Sequence, residues 1–275
     1  MFSVVIPVYN HVAFLSEAVG SALRSPLVTE VLLLDDGSRD GSAKLAAELA
    51  ASDRRICNLT PPGAGNRGAH SRLNELVGAA SCDWIAVLNS DDAFVADRFE
   101  VITADPQFAN SEFVFGNLLM MNERGSLVGA KRGPFDTGTP FPRFFNVAAM
   151  VAAGRFLELL AHQNYLGTTS NMVFRKDLHA RIGGFLRYRY VHDWDFALRA
   201  MAIGRALYVQ RYITAYRVHS HNTIAESVAG VNLEAKDLFD RFVMDFPQIA
   251  ALAEFRAALE VNVNLTPRMA SAATA

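Results

Sequence analysis

The chain has 275 residues, of which 51% are hydrophobic and 20% are charged. This balance is typical of a globular protein that buries a large core, and the length predicts one elaborated domain or one domain with a small addition. The formal net charge is -2, so the chain lacks the basic field that a nucleic-acid-binding protein needs, and nucleic acid is not an expected partner.

The first hundred residues predict alternating strands and helices. Apolar runs predict strands at 4–6, 31–34, 56–59 and 84–88, and helical spacing predicts helices at 14–23, 42–51 and 70–80. Strands that are apolar at successive positions are buried on both faces, which predicts a parallel sheet covered by helices on each side. Ligands of such sheets bind beyond the carboxyl ends of the strands.

Two acidic pairs follow predicted strands: Asp35 with Asp36, and Asp91 with Asp92. Adjacent carboxylates at the end of a buried strand repel each other unless a cation, a proton or a polar partner compensates. A divalent cation that bridges two phosphates is one solution. The alternative is that Asp92 caps a turn or helix toward Arg98 while Asp91 is solvated.

The earlier pair also has two interpretations. Asp36 can accept a hydrogen bond from a nucleobase or a ribose hydroxyl, or the pair can form an Asx-type turn into the helix that begins near Ser42. A glycine-rich segment follows at 61–68, and Arg67 and Arg72 beside it can approach a pyrophosphate or can be ordinary surface residues.

Beyond about residue 110 the regular alternation ends. Residues 113–121 and 127–130 predict a hairpin, and residues 141–160 predict helices. Residues 231–263 are again helical in pattern, and the small-residue tail at 270–275 is expected to fray.

Two further polar stretches lie in this half. His192 and Asp193 stand just before an apolar-periodic helix, where Asp193 or Asp195 can serve as its N-terminal cap. Residues 216–222 (YRVHSHN) follow an alternating strand. One polar side chain of this run can reach phosphates or a metal, although a lone histidine there, such as His219, is more often structural.

Taken in chain order, these stretches resemble glycosyltransferase family 2, whose members have the GT-A fold. Residues 3–10 (SVVIPVYN) look like its opening strand and nucleotide loop, and residues 30–42 (EVLLLDDGSRDGS) resemble its second signature. Asn66-Arg67-Gly68-Ala69 with Arg72 and Asn74 matches its third. Residues 84–92 (WIAVLNSDD) resemble its D-x-D-D segment, with Asn89 where aspartate is common. Residues 167–175 and 182–185 resemble the approach to its E-D motif, which reads His192-Asp193 here.

The resemblance implies a role for each matched residue. The nucleotide and donor residues are Pro7, Tyr9, Asp36, Arg72 and Asp91. The metal ligand is Asp92, with His219 as a second candidate, and the metal is Mn2+ or Mg2+. Asp193 is the catalytic base, and Asn171 and His192 lie on the acceptor side. Because His192 replaces a glutamate, it can bind the acceptor, tune Asp193 or merely pack.

The fold implied by the resemblance is an α/β fold of the GT-A, Rossmann-like kind. It has a central, mostly parallel sheet flanked by helices, a smaller mixed acceptor-side half and a helical C-terminus. The nucleotide-binding half spans about residues 1–110, the acceptor-side half about 111–222, and the helical extension 223–275.

The implied reaction moves a sugar from a nucleoside-diphosphate sugar, with a UDP-sugar as the first expectation, to a hydroxyl of a glycan or lipid-linked acceptor, with inversion. Two alternatives stay open. A non-catalytic nucleotide-sugar binding module is favoured by His192. A sugar nucleotidyltransferase normally has a glycine- and lysine-rich loop after its first strand, where this chain reads Pro7-Val8-Tyr9-Asn10-His11.

Two cysteines, Cys57 and Cys82, do not make a disulfide framework. The chain begins without the charged and apolar regions of a signal peptide, and no stretch has the ~18 apolar residues of a membrane span. We therefore expect a cytoplasmic protein, and peripheral contact with the inner face of a membrane is left open.

Overall fold

The computed structural model describes residues 1–220, 226–262 and 264–265. The predicted boundary at residue 222, the side chains of His221 and Asn222, and the predicted tail at 270–275 lie outside these residues.

The described strands all belong to one nine-stranded sheet. They are β1 (Phe2–Val8), β2 (Val28–Asp35), β3 (Ile56–Asn58), β4 (Trp84–Val87), β5 (Ala93–Phe94), β6 (Phe113–Met121), β7 (Leu127–Lys131), β8 (Val173–Arg175) and β9 (Ala206–Arg217).

The described helices flank this sheet and form the C-terminal part. They are α1 (Leu15–Leu23), α2 (Ser42–Ser52), α3 (Ala69–Ala79), α4 (Arg98–Thr103), α5 (Val147–Ala152), α6 (Phe156–His162), α7 (Lys176–Arg181), α8 (His192–Ile203), α9 (Val228–Asp245), α10 (Pro247–Ala250) and α11 (Ala253–Glu260). Within these residues, no helix combines the length and the apolar character needed to cross a membrane.

The sheet has a parallel half and a mixed half. Its order is β3-β2-β1-β4-β8-β6-β9-β5, with β7 paired to β6. The strands β3, β2, β1 and β4 are parallel to one another, as the continuous apolar runs predict. Beyond β4 the pairing is antiparallel except between β6 and β9. The predicted α/β fold and the predicted hairpin of β6 and β7 are therefore confirmed.

The two faces of the sheet support two apolar cores. Side chains alternate along a strand, so Val4 and Ile6 of β1 pack into one core while Val5 packs into the other. All three side chains are fully buried. The first core also holds Ala18 and Val19 of α1, and the second extends to the C-terminal helices.

The C-terminal helices are docked on α8 and α6. The rings of Trp194 and Phe239 meet edge to face with centroids 5.3 Å apart, and Phe242 stacks on Phe255 at 5.2 Å. Asn262 Nδ2 donates a hydrogen bond to the carbonyl of Ala161, which is buried. The described part of the predicted helical extension thus shares an apolar core with α6 and α8.

The beginning of α8 differs from the sequence prediction. The helix starts at His192 and the preceding residue is Val191, so neither Asp193 nor Asp195 is its N-terminal cap. Both carboxylates lie in the first turn, where they face the positive end of the helix dipole. Asp195 is buried and pairs with Arg199 one turn later, with Nε 3.0 Å from Oδ2.

Candidate donor and catalytic site

Two of the predicted nucleotide residues, Pro7 and Tyr9, lie at the carboxyl end of β1. Pro7 is half-buried near the end of β1, and the side chain of Tyr9 just beyond is 45% exposed. The backbone N–H of Asn10 donates to Ser38 Oγ at 2.9 Å, which ties this loop to the turn after β2. Tyr9 therefore presents an open aromatic ring at the strand ends.

The turn after β2 is built by Asp35. Its Oδ1 accepts the backbone N–H of Gly37 at 3.0 Å and of Ser38 at 2.9 Å, which is the predicted Asx-type turn. Gly37 has a φ of +82°, and a Cβ atom there would lie 3.1 Å from the carbonyl of Ala64 and the amide of Asn66. The turn and the glycine-rich segment therefore pack backbone against backbone.

Asp36 holds the glycine-rich segment in place. Its carboxylate accepts the backbone N–H of Arg67 at 2.7 Å and of Gly68 at 2.9 Å, and Arg72 Nε donates to it at 2.7 Å. Arg72 is 2% exposed and also donates to the carbonyl of Gly65 at 2.7 Å. The groups predicted to meet a nucleobase and phosphates thus form an internal ion pair beneath that segment.

Asp92, the predicted metal ligand, is almost fully buried and surrounded by protein donors. Its Oδ2 accepts the hydroxyls of Ser170 at 2.6 Å and Thr168 at 2.9 Å, and its Oδ1 accepts the backbone N–H of Arg217 at 2.9 Å. Burial, with the neighbouring charge of Asp91 second, raises the pKa of Asp92 to about 7. Its side chain points into the protein.

Asp91 instead belongs to a cluster with two histidines. His219 Nε2 lies 2.9 Å from Asp91 Oδ2, and His11 Nε2 lies 3.8 Å from the same oxygen. One ligand atom from each of the three side chains lies within 4.8 Å of the others. The hydrogen bond to Asp91 is the main cause that raises the pKa of His219. Imidazole nitrogens and a carboxylate oxygen at this spacing can coordinate a divalent metal.

Arg217 fixes the backbone around this cluster. It is buried, and its Nε donates to the carbonyl of Asp91 at 2.7 Å, while Nη1 donates to the carbonyl of Asn122 at 3.0 Å. Nη2 pairs with Glu17 at 2.5 Å, and the guanidinium lies 4.7 Å from the ring centroid of Phe14. One side chain thus joins the β4 loop, the β6–β7 turn and α1.

The predicted base Asp193 is half-buried at the start of α8. Asn164 Nδ2 donates to its Oδ2 at 3.1 Å, and the backbone N–H of Trp194 donates to its Oδ1 at 2.7 Å. Burial raises the pKa of Tyr216, and the charges of Asp92, Asp91 and Asp193 raise it further. Charges from both predicted motifs therefore disfavour ionisation of the Tyr216 phenol.

The two residues predicted on the acceptor side differ in position. His192 is half-buried beside Asp193. Burial is the main cause that lowers the pKa of His70, and the charge of His192 is the second cause. Asn171 is fully buried, and its side-chain amide bonds to both the N–H and the carbonyl of Gly116 and to the carbonyl of Leu166. Asn171 therefore crosslinks β6 to the segment before β8.

No individual role was predicted from the sequence for several residues of this site. They are His11, Asn164, Thr168, Ser170 and Arg217. For His11 the sequence did hold a signal, because a histidine stands in the loop that follows the predicted first strand. The others have side-chain partners from 29 to 200 residues away, so no local pattern could indicate them.

The fold and the strand-end carboxylates define a protein of the GT-A glycosyltransferase class. Residues 3–146 match the family described as Glycosyl transferase family 2. The match covers more than half of the chain, and the chain belongs to this family.

Relatives of known sequence agree with this assignment. The succinoglycan biosynthesis protein ExoU of Rhizobium meliloti is 24% identical over 257 residues, covering 91% of this chain and 71% of ExoU. A PGL/p-HBAD biosynthesis glycosyltransferase of Mycobacterium bovis is 26% identical, covering 74% of this chain and 70% of the relative. An uncharacterized glycosyltransferase of Rickettsia felis is 31% identical over 51% of this chain. Here the match spans only 23% of the relative.

Solved structures share the fold at low sequence identity. The structure of Staphylococcus aureus TarS 1-349 in complex with UDP-GlcNAc has a TM-score of 0.62 at 14% identity, covering 94% of this chain and 78% of TarS. The mannosyltransferase PcManGT of Pyrobaculum calidifontis, in complex with GDP-Man and Mn2+, has a TM-score of 0.60 at 17% identity, covering 95% and 72%. These similarities confirm the GT-A fold.

Proposed function

We propose that this protein transfers a sugar from a nucleoside-diphosphate sugar to an acceptor hydroxyl, with inversion at the anomeric carbon. The observation that carries the proposal is the contact of Asp91 with His219 beyond the strand ends, in a chain that belongs to glycosyltransferase family 2. This pair can hold a metal-bound diphosphate, and Asp193 at the start of α8 is the proposed proton acceptor. The nucleotide sugars bound by TarS and PcManGT support a donor of this class.

The metal position in this proposal is Asp91 with His219. Their donor atoms suit Mn2+ and related ions, whereas both oxygens of Asp92 already accept hydrogen bonds from the protein. When bound, a divalent ion stabilises the negative charge that develops on the departing nucleoside diphosphate. Asp92 and Arg217 hold the loop that presents Asp91.

Asp193 is proposed as the general base. Its carboxylate takes the proton of the acceptor hydroxyl, the oxygen bonds to the anomeric carbon, and the bond from that carbon to the diphosphate breaks. Asn164 and the N–H of Trp194 each donate to one carboxylate oxygen, which fixes the direction of the remaining lone pairs. A base held in this way contributes roughly 10²- to 10⁴-fold to the rate.

The nucleotide is proposed to lie across the ends of β1 and β2, with its base near Tyr9. Asp36 and Arg72 act beneath this surface, because their ion pair supports the segment on which the base rests. We keep a UDP-sugar as the first donor to test, with a GDP-sugar second.

The acceptor is proposed to be a glycan or a lipid-linked precursor. ExoU is named as a succinoglycan biosynthesis protein and the mycobacterial relative as a PGL/p-HBAD biosynthesis glycosyltransferase, and both names support this class. A cytoplasmic setting at the inner face of a membrane fits such acceptors.

A thermal-shift screen of nucleotide sugars tests the donor proposal. A donor that binds the native state raises the melting temperature by mass action, and we expect one nucleotide sugar to do so only with Mn2+ present. Release of nucleoside diphosphate with acceptor would support transfer. A binding module would show the shift without release, and a nucleotidyltransferase would release pyrophosphate from a nucleoside triphosphate and a sugar phosphate.

A further inference from the structure

His11 lies closer to the proposed metal position than its place in the sequence suggests. It belongs to the loop after β1, whereas Asp91 follows β4 and His219 follows β9. Its Nε2 is 3.8 Å from Asp91 Oδ2, and its ring is almost perpendicular to that of His219, with centroids 5.8 Å apart. Three separate strand ends therefore each contribute one side chain to the cluster.

The ring of His11 is held in a defined orientation. Its Nδ1 lies 2.8 Å from Ser90 Oγ, and its backbone N–H donates to Ser42 Oγ at 2.9 Å. A hydrogen bond at one ring nitrogen fixes the direction of the other, as is usual for histidines that bind metals. In His11 the hydrogen bond at Nδ1 thus sets the direction of Nε2, which lies toward Asp91.

The burial of the cluster leaves one side accessible. The side chain of His219 is 3% exposed and that of Asp91 is 10% exposed, but that of His11 is 23% exposed. His11 therefore lies on the solvent side of the cluster, where a diphosphate would approach.

The chemistry of this set of ligand atoms differs from that of a carboxylate site. Mg2+ prefers oxygen ligands in nearly ideal octahedral geometry and gives up its waters reluctantly. First-row transition ions accept imidazole readily, and two histidines with one carboxylate are a recurrent set of ligands for them. A second imidazole nitrogen should therefore strengthen binding of Mn2+ or Co2+ much more than binding of Mg2+.

We propose that His11 is the third protein ligand of this site and makes it selective for a first-row transition ion over Mg2+. The inference rests on the proposed function for the position of the metal at Asp91 and His219. It adds a ligand from the loop after β1 and a preference among ions.

Metal binding is measured without nucleotide, so that the result does not depend on turnover. The purified 275-residue chain is titrated with Mn2+ while the signal of free aqueous Mn2+ is followed by electron paramagnetic resonance. We expect one Mn2+ per chain, and displacement by Mg2+ only at about a hundredfold excess or more. Displacement by equimolar Mg2+ would overturn the proposed selectivity.

The decisive variant is His11→Gln, which removes the imidazole and keeps an amide able to bond Ser90. We expect its Mn2+ affinity to fall by about tenfold or more while Mg2+ affinity changes little. Ser90→Ala removes only the hydrogen bond that orients the His11 ring, so it should lower the Mn2+ affinity less. In a double variant with His11→Gln it should lower the affinity little further. His179→Gln is the matched control, because His179 is half-buried on α7 and bonds Asn74 instead.

A spectroscopic count of nitrogens gives a second readout. Pulsed electron paramagnetic resonance of bound Mn2+ should detect two histidine nitrogens in the wild-type chain and one in His11→Gln. Two nitrogens in both, or unchanged Mn2+ affinity in a folded His11→Gln chain, would overturn the role of His11. Selective Mn2+ binding without sugar transfer would instead contradict only the proposed function.

Discussion

His219 Nε2 lies 2.9 Å from Asp91 Oδ2 and joins the end of β9 to the loop after β4 across 128 residues of sequence. The side chain of His219 is almost fully buried, so this contact is fixed by the fold. Asp91 is also held through its carbonyl by Arg217, two residues before His219. The proposed metal-binding pair is therefore held in place by the fold itself.

The first prediction concerns this pair. Replacing His219 by Gln removes one ligand of the proposed metal and should weaken Mn2+-dependent donor binding by about tenfold or more. Calorimetric titration of the nucleotide sugar found by the screen measures the effect. In the presence of a chelator the variant and the wild type should bind the donor equally weakly. Equal donor affinity with Mn2+ would remove His219 from the site.

The second prediction separates Asp92 from Asp91. Asp92→Asn cannot satisfy the hydroxyls of Ser170 and Thr168 and the N–H of Arg217 together, because its amide nitrogen is a donor. We expect a loss of about 1–3 kcal/mol in the free energy of unfolding, measured with urea. Mn2+ affinity should be largely kept.

Asp91→Asn is the matched variant and should show the opposite result. Its free energy of unfolding should stay close to wild type while Mn2+ binding is lost. If Asp92→Asn abolished Mn2+ binding without changing stability, Asp92 would be the metal ligand, as the sequence resemblance implies.

The third prediction concerns the buried ion pair of Arg72 and Asp36. Removing one partner of a buried pair commonly costs about 3–5 kcal/mol, since the other charge is left uncompensated. Asp36 keeps two backbone donors, so Arg72→Ala should lie at the lower end of that range. Limited proteolysis should also detect faster cleavage within residues 61–68. Lost donor binding at unchanged stability would indicate a direct contact between Arg72 and phosphate.

The fourth prediction is a pH dependence of stability. Burial lowers the pKa of His179 from 6.5 to about 4, so between these values the unfolded chain binds a proton that the folded chain does not. This histidine should therefore destabilise the fold as the pH falls from 6.5 toward 4. The contribution is at most about 1.4 kcal/mol per pH unit.

His179→Gln tests this, because the new amide can still donate to Asn74. Urea unfolding at several pH values should show a shallower decline toward low pH in the variant than in the wild type. Parallel curves for the two proteins would show that His179 does not titrate in this way.

Much of the fold was predictable because it follows from local patterns. The continuous apolar runs at β1, β2 and β4 indicated parallel strands, and the positions of Asp36 and Asp91 indicated strand ends. These features depend on residues close together in the sequence, so periodicity and turn chemistry are sufficient to find them.

The different positions of Asp91 and Asp92 within the site could not be predicted from the sequence. Asp91 and Asp92 are neighbours, and only distant partners decide which carboxylate turns inward. The Asp92 carboxylate accepts hydrogen bonds from the hydroxyl of Thr168, 76 residues away, and from the N–H of Arg217, 125 residues away. Asp193 was predicted as the base from its resemblance to a motif, and its partner Asn164 was not predicted at all.

The central claim is that Asp193 is the base in a donor site that is complete without it. Asp193→Asn keeps the shape of the side chain but removes the ability to take a proton. We therefore compare donor affinity and nucleoside diphosphate release with acceptor in the wild type, in Asp193→Asn and in Asn164→Ala. The last variant should lose only part of the rate, since it removes an orienting contact.

For Asp193→Asn we expect Mn2+-dependent donor affinity within about twofold of wild type and a fall in acceptor-dependent release of roughly 10²- to 10⁴-fold. Near-normal release by a folded Asp193→Asn chain would contradict the claim.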